Sequence, residues 1–230
     1  MPQNHEYQVT VKLDTQTRNT LATQGYALYG FKAVKTGATL GRPTVWFSWK
    51  NLLEENVVGW DPLYNAYISV ASQKEGEAPA GLIDASTKRP IKIGQTMVVD
   101  KTGGVSVTAE GTPNCISVDN NSTTLYNTGL SQVNPNDGSA TPLAAFPLHG
   151  DMTVTMEPLQ QIILLFASAT ATQVSTVVEK AIGHGVFIDA TENKKIEIPY
   201  VIDKGWDTGG KIYIEKIEKN QNIVGKLLKG

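Results

Sequence analysis

Glu6-Tyr-Gln-Val-Thr-Val-Lys-Leu13 alternates without a break: Tyr7, Val9, Val11 and Leu13 fall on one side of an extended chain, Glu6, Gln8, Thr10 and Lys12 on the other. Successive side chains of a strand point to opposite faces, so this period of two marks a strand with one face in a core and one in water. The pattern recurs at Gly104 to Glu110, with Val105, Val107 and Ala109 expected inward. It recurs again at Met152 to Met156, through Met152, Val154 and Met156, and at Ile196 to Tyr200, through Ile196, Ile198 and Tyr200.

Other runs are apolar on both faces: Tyr26 to Val34, Val45 to Phe47, Thr96 to Val99, Pro142 to Pro147 and Gln161 to Ala167. They read as central strands covered on both sides. Clusters of Gly, Pro, Asn and Asp separate them, at Lys35-Thr-Gly-Ala38, Lys101-Thr-Gly-Gly104, Asp119-Asn-Asn-Ser122, Asn134-Pro-Asn-Asp-Gly138 and Lys204-Gly-Trp-Asp-Thr-Gly-Gly210. Short strands at regular spacing with such turns point to an all-β sandwich or barrel. Gln173 to Ile182 fits a short helix by the spacing of Val174, Val177, Val178 and Ala181, but its β-branched content favours a strand.

With 230 residues, the chain is long enough for one substantial core. Hydrophobic residues at 40% and charged residues at 18% fit a folded protein better than a disordered or membrane-embedded one. The net charge of −2, from 20 basic and 22 acidic residues without long runs, argues against nucleic acid as a partner. The longest apolar run, Ile162 to Ala167, is far shorter than the roughly 20 residues a membrane-spanning helix needs. Cys115 is the single cysteine, so no internal disulfide forms; its strand-like setting between Asn114 and Ile116 suggests a buried structural thiol. The start carries neither a basic leader nor an apolar signal run, so the expected location is the cytoplasm, or outside it by release without a standard signal peptide.

Catalytic signatures are missing. His5-Glu6 has no second histidine one helical turn on, and His149, His184 and one cysteine do not make a four-ligand zinc site. Gly37-Ala-Thr-Leu-Gly41-Arg-Pro is one residue short of a phosphate-binding loop and carries Arg for Lys, so it reads as a turn. No Gly-x-Ser-x-Gly elbow occurs, and Glu54-Glu55 and Asp203 with Asp207 lie in charged, turn-like surroundings where solvated carboxylates are usual. The Asp119 to Asn121 and Asn134 to Asp137 loops offer oxygen ligands suited to calcium, and turn chemistry accounts for them equally. The expectation is a non-enzyme with no metal and no cofactor.

What rises above background is aromatic: Trp46, Trp49, Trp60, Tyr64 and Tyr67 are clustered in a chain only 7% aromatic. On a regular strand Trp46 and Trp49 face opposite ways, so at least one reaches a surface, a loop or a bulge. Trp49 and Trp60, with Asp61 and Asn65, are the candidate ligand-binding residues, suited to stacking on sugar rings or to a protein interface. The alternative is that both tryptophans are core.

The order of features resembles a loosely defined group of small bacterial and fungal proteins that includes the rhizosphere-expressed protein of rhizobia. The residues that carry the likeness are Val9-Thr-Val11, Tyr26-Ala-Leu-Tyr-Gly-Phe31, Val45-Trp-Phe-Ser-Trp49, Gly129-Leu130, Pro142-Leu-Ala-Ala-Phe146 and Glu157-Pro158 leading to Ile162. The resemblance implies a β-sandwich and carries over no catalytic residue.

The expected fold is therefore a two-layer antiparallel β-sandwich, jelly-roll or Ig-like, over residues 1–201, with 202–230 as a C-terminal edge strand or arm. Lys211-Ile-Tyr-Ile-Glu215 alternates like a strand able to add to an open sheet edge, which makes Ile212, Tyr213 and Ile214 the candidate self-association residues. The leading functional expectation is a self-assembling homo-oligomer, a structural protein. Its alternative is a lectin-like or toxin-like binding module that meets a glycan or a membrane surface through the aromatic patch.

Overall fold

The computed structural model describes residues 5–37, 41–70, 76 and 83–228; the turn expected at Gly37 to Gly41 thus lies largely outside the described residues. In chain order the elements begin with β1 (Tyr7–Leu13), α1 (Thr15–Thr23), β2 (Tyr26–Thr36), β3 (Arg42–Pro43), β4 (Phe47–Trp49), β5 (Glu55–Trp60), β6 (Asn65–Ser69) and β7 (Ala85–Ser86). They continue with β8 (Thr96–Val99), β9 (Val105–Thr108), β10 (Ile116–Asn120), β11 (Tyr126–Val133), β12 (Ala140–Pro142), β13 (Ala144–Leu148) and β14 (Met152–Ser168). The last are β15 (Gly185–Asp189), β16 (Lys195–Val201), β17 (Gly205–Trp206), β18 (Ile214–Ile217) and α2 (Val224–Leu228). Strands hold 50% of the residues and helix 7%, so the chain is all-β.

Among the described residues the strands form three sheets. One runs β17-β16-β1-β5, a second β18-β15-β14-β10-β8-β9 with β2 and β4 added through β14, and a third β3-β13-β11-β6-β7 with β12 on β11. Most neighbours are antiparallel, but β1 lies parallel to β16, pairing Gln8 with Lys195 through Leu13 with Tyr200, and β8 lies parallel to β10. The long β14 is the organiser. It pairs with β10 through Met152 to Met156, with β15 through Gln161 to Leu165 and with β2 from Met156 to Ser168, around an irregularity between Pro158 and Ile162.

Residues from all three sheets, among them Val9 and Val58, Val118 and Leu164, and Leu130 and Phe146, join one buried cluster. The alternation in β1 does what its period requires: Tyr7, Val9, Val11 and Leu13 are buried. Ile196, Ile198 and Tyr200 of β16 are buried likewise. Two expectations fail at a sheet margin. Val107, on the outermost strand β9, is 44% exposed and Ala109 is exposed, and Met152 at the start of β14 is 54% exposed.

Gln173 to Ile182 is neither helix nor strand. It is an irregular segment with two isolated bridges to residues outside the strands, Thr44 with Val177 and Lys180 with Asn222. Cys115 is also corrected: it precedes β10 and is only half-buried, after Asn114 takes a left-handed turn at φ 62°. Partial burial and the Glu157 carboxylate push its thiol pKa up.

The C-terminal stretch folds onto its own chain. β17 pairs with β16 and β18 with β15, setting Ile214 opposite Ile188 and Ile217 opposite Gly185. Trp206, Ile214, Ile217, Ile223, Leu227 and Leu228 are all buried.

Candidate functional site

The aromatic cluster resolves into a line of rings. Tyr7 stacks on Trp60 at 5.6 Å between centroids, Trp60 meets Trp46 edge-on at 6.3 Å, Trp46 meets Phe47 at 5.3 Å, and Phe47 tilts onto Trp49 at 5.0 Å. Trp46 precedes the regular part of β4, which is why it and Phe47 are both buried although strand alternation would separate them. Gly30 of β2 makes room for this: a Cβ there would stand 2.0 Å from the Phe47 ring.

The four sequence-derived binding residues do not converge. Trp60 is 2% exposed, so its role is in the core: its ring nitrogen donates to Gln160 Oε1 at 2.9 Å, and Gln160 in turn donates to the Tyr64 hydroxyl at 3.2 Å. Asp61 accepts from the Glu6 backbone N–H at 2.8 Å and pairs with His5 at 3.0 Å; those hydrogen bonds hold its pKa down against partial burial. The Asn65 amide donates to the Thr87 carbonyl at 2.7 Å. Trp49 alone of the four lines an open cleft.

That cleft has a volume of about 980 Å³. Trp49 enters it from the end of β4, Lys50 and Asn51 from the turn that follows, and Glu55 and Val57 from β5. Asn56 shapes the turn, accepting from the Leu53 N–H at 2.9 Å and donating to the Leu53 carbonyl at 2.7 Å. Asn136 comes from the 134–138 loop, whose shape rests on Asn134 accepting from the Asn136 N–H at 2.9 Å. The opposite wall is Thr170 to Val174, fixed where the Tyr29 hydroxyl donates to the carbonyls of Ser168 and Thr172. The Thr172 hydroxyl is enclosed and has no hydrogen-bond partner among the described residues. One lysine and one glutamate leave the lining close to neutral; around the indole ring it mixes amides and hydroxyls with the aliphatic side chains of Leu53, Val57 and Val174.

The loops weighed as calcium sites use their oxygens in turns: Asn120 accepts from Ser122, and Asp137 from Ser139. Among the described residues no group of three or more His, Cys, Asp or Glu side chains gathers to hold a metal. Ile212 is fully exposed, Tyr213 half-buried and Ile214 buried, so the three self-association candidates do not share one environment. Among the described residues no helix is long and apolar enough to cross a membrane.

What sequence reasoning missed is Lys32. Its side chain is fully buried on β2, with Nζ 4.1 Å from the centre of the Trp60 ring and 5.8 Å from that of Trp46. The signal stood in the sequence, a lysine inside Tyr26 to Val34, a run apolar on both faces. Compared with known protein families, curated proteins and solved structures, the chain matches none.

Proposed function

We propose that the protein is a non-catalytic, lectin-like binding module that takes an uncharged carbohydrate in the Trp49 cleft. The observation that carries this reading is a half-buried tryptophan in a cleft of about 980 Å³ whose other walls mix amides and hydroxyls with Leu53, Val57, Pro135 and Val174. Sugar rings present an apolar face for an aromatic ring and hydroxyls for amide groups, and ligand sites of this size pair apolar surface with a few placed polar groups. The near-neutral lining favours an uncharged glycan over a phosphate or a polyanion.

The test is a glycan array of neutral oligosaccharides probed with wild type and Trp49→Ala. Binding that weakens roughly tenfold or more on loss of the ring supports the reading. An array without signal, or binding untouched by Trp49→Ala, overturns it. Because Trp46, Trp60 and Trp206 are buried, acrylamide quenching of the folded protein should report mainly Trp49, and a bound sugar should shield it.

A second reading, assembly of like copies, is favoured by Ile212, which stands fully exposed just before β18, an outermost strand of the larger sheet. Light scattering of wild type and Ile212→Lys tests it: a wild-type particle larger than one chain that shrinks in the variant supports assembly, and a monomeric wild type rejects it.

A further inference from the structure

Lys32 is a fully buried amine held between two tryptophan rings. Among the described residues its Nζ has no hydrogen-bond acceptor and no ion-pair partner. Its backbone is opposite Ile162 on β14, next to the irregularity that brings Gln160 to Trp60. The titratable groups around the ring box do not compensate a cation. Tyr64, whose pKa burial pushes up to about 12, is neutral and accepts from Gln160, and Tyr7 stacks on Trp60. At the outer end Lys194 lies over Tyr7 and is spent on Glu6, while Asp61 is spent on His5.

We propose that Lys32 and its tryptophan box form an acid-sensitive latch, in which proton uptake by the enclosed amine unseats β2 from Trp46 and Trp60. A ring face attracts an ammonium ion, but burial strips away far more hydration than the rings return, so the folded protein holds the amine neutral. Burial alone accounts for a lysine pKa held well below its usual range.

The direction of the effect follows. Between the lowered pKa of the folded state and the ordinary lysine value, the open or unfolded chain carries a proton that the closed core lacks. Closed-state stability therefore rises with pH across that window, and each unit of acidification within it makes the opened form about tenfold more populated. The loss stops growing below the folded-state pKa. The other titratable groups are common to wild type and to a Lys32 variant, so a comparison of the two isolates the latch.

Two measurements test it. In wild type labelled with carbon-13 lysine, the Cε shift of Lys32 should be that of a neutral amine at about pH 8, where a free lysine side chain is charged. In urea unfolding, wild type should lose stability against Lys32→Met from about pH 10 to about pH 7, with the gap narrowing again toward alkaline pH. A charged Lys32 in the folded protein at about pH 8, or two parallel stability curves, overturns the proposal. If Lys32→Met does not fold, the carbon-13 titration decides alone.

Discussion

At the scale of single residues, Lys32 and Gly129 show how differently a sequence announces its constraints. A lysine between Phe31 and Ala33 in a doubly apolar run is legible as a conflict, although not which rings surround it, because Trp46 and Trp60 arrive from other strands. Gly129 gives no sign in sequence, since what matters is its neighbour across the sheet. A Cβ there would stand 2.0 Å from the Ala144 carbonyl oxygen, so one methyl group forces β11 and β13 apart. Gly129→Ala should cost at least about 3 kcal/mol in urea unfolding. Gly138→Ala, at φ +75° with nothing within 4 Å, should cost only about 1 kcal/mol, the penalty of the backbone alone. Equal losses in the two variants would show that β11 yields more easily than this contact implies. Trp49 was partly legible: alternation said that Trp46 and Trp49 differ in environment, but the cleft wall at Thr170 to Val174 lies too far along the chain for any local pattern to place it.

At the scale of elements, strands with a clean period of two were readable, while α1 was not. Only Thr17 and Leu21 of that helix are buried, so it carries almost no apolar stripe; what starts it is Asp14, which accepts from the Thr17 N–H at 2.6 Å. That hydrogen bond lowers the Asp14 pKa. A carboxylate depressed in the folded state contributes above its unfolded pKa and loses that contribution as pH falls through the folded value. Asp14→Asn should therefore match wild type more closely in acid than at neutral pH, a difference that melting temperatures at the two conditions will read. The C-terminal stretch was legible only in part: Lys211 to Glu215 reads as a strand, whereas Ile212 and Tyr213 form a turn, β18 begins at Ile214, and α2 is a helix. With six large apolar side chains buried after Asp203, each worth about 1.5–3 kcal/mol, their loss is comparable to the 5–15 kcal/mol that holds a typical domain together. Truncation at Asp203 is expected to give an unfolded or aggregated product; a truncated chain with native circular dichroism would mean that β18 and α2 are accessories.

For the whole molecule, composition and turn spacing sufficed for the all-β class, and far-ultraviolet circular dichroism should show strand dominating with helix near 7%. A helix content above roughly a third, the globular average, would contradict the fold. The partition into three sheets was not legible, because it depends on pairings such as β1 with β16 that leave no mark in either segment alone. That pairing also sets a timetable. Gln8 finds its partner only at Lys195, so on a ribosome adding about 5–20 residues per second the first strand leaves the tunnel roughly ten to forty seconds before its parallel neighbour exists. Throughout that interval β1 has β5 as its one available sheet neighbour, and the newborn chain carries an open edge that something must keep from other nascent chains. The birth of this fold is therefore a problem of waiting as much as of packing, and its yield in cells should respond to the speed of translation and the supply of holding chaperones.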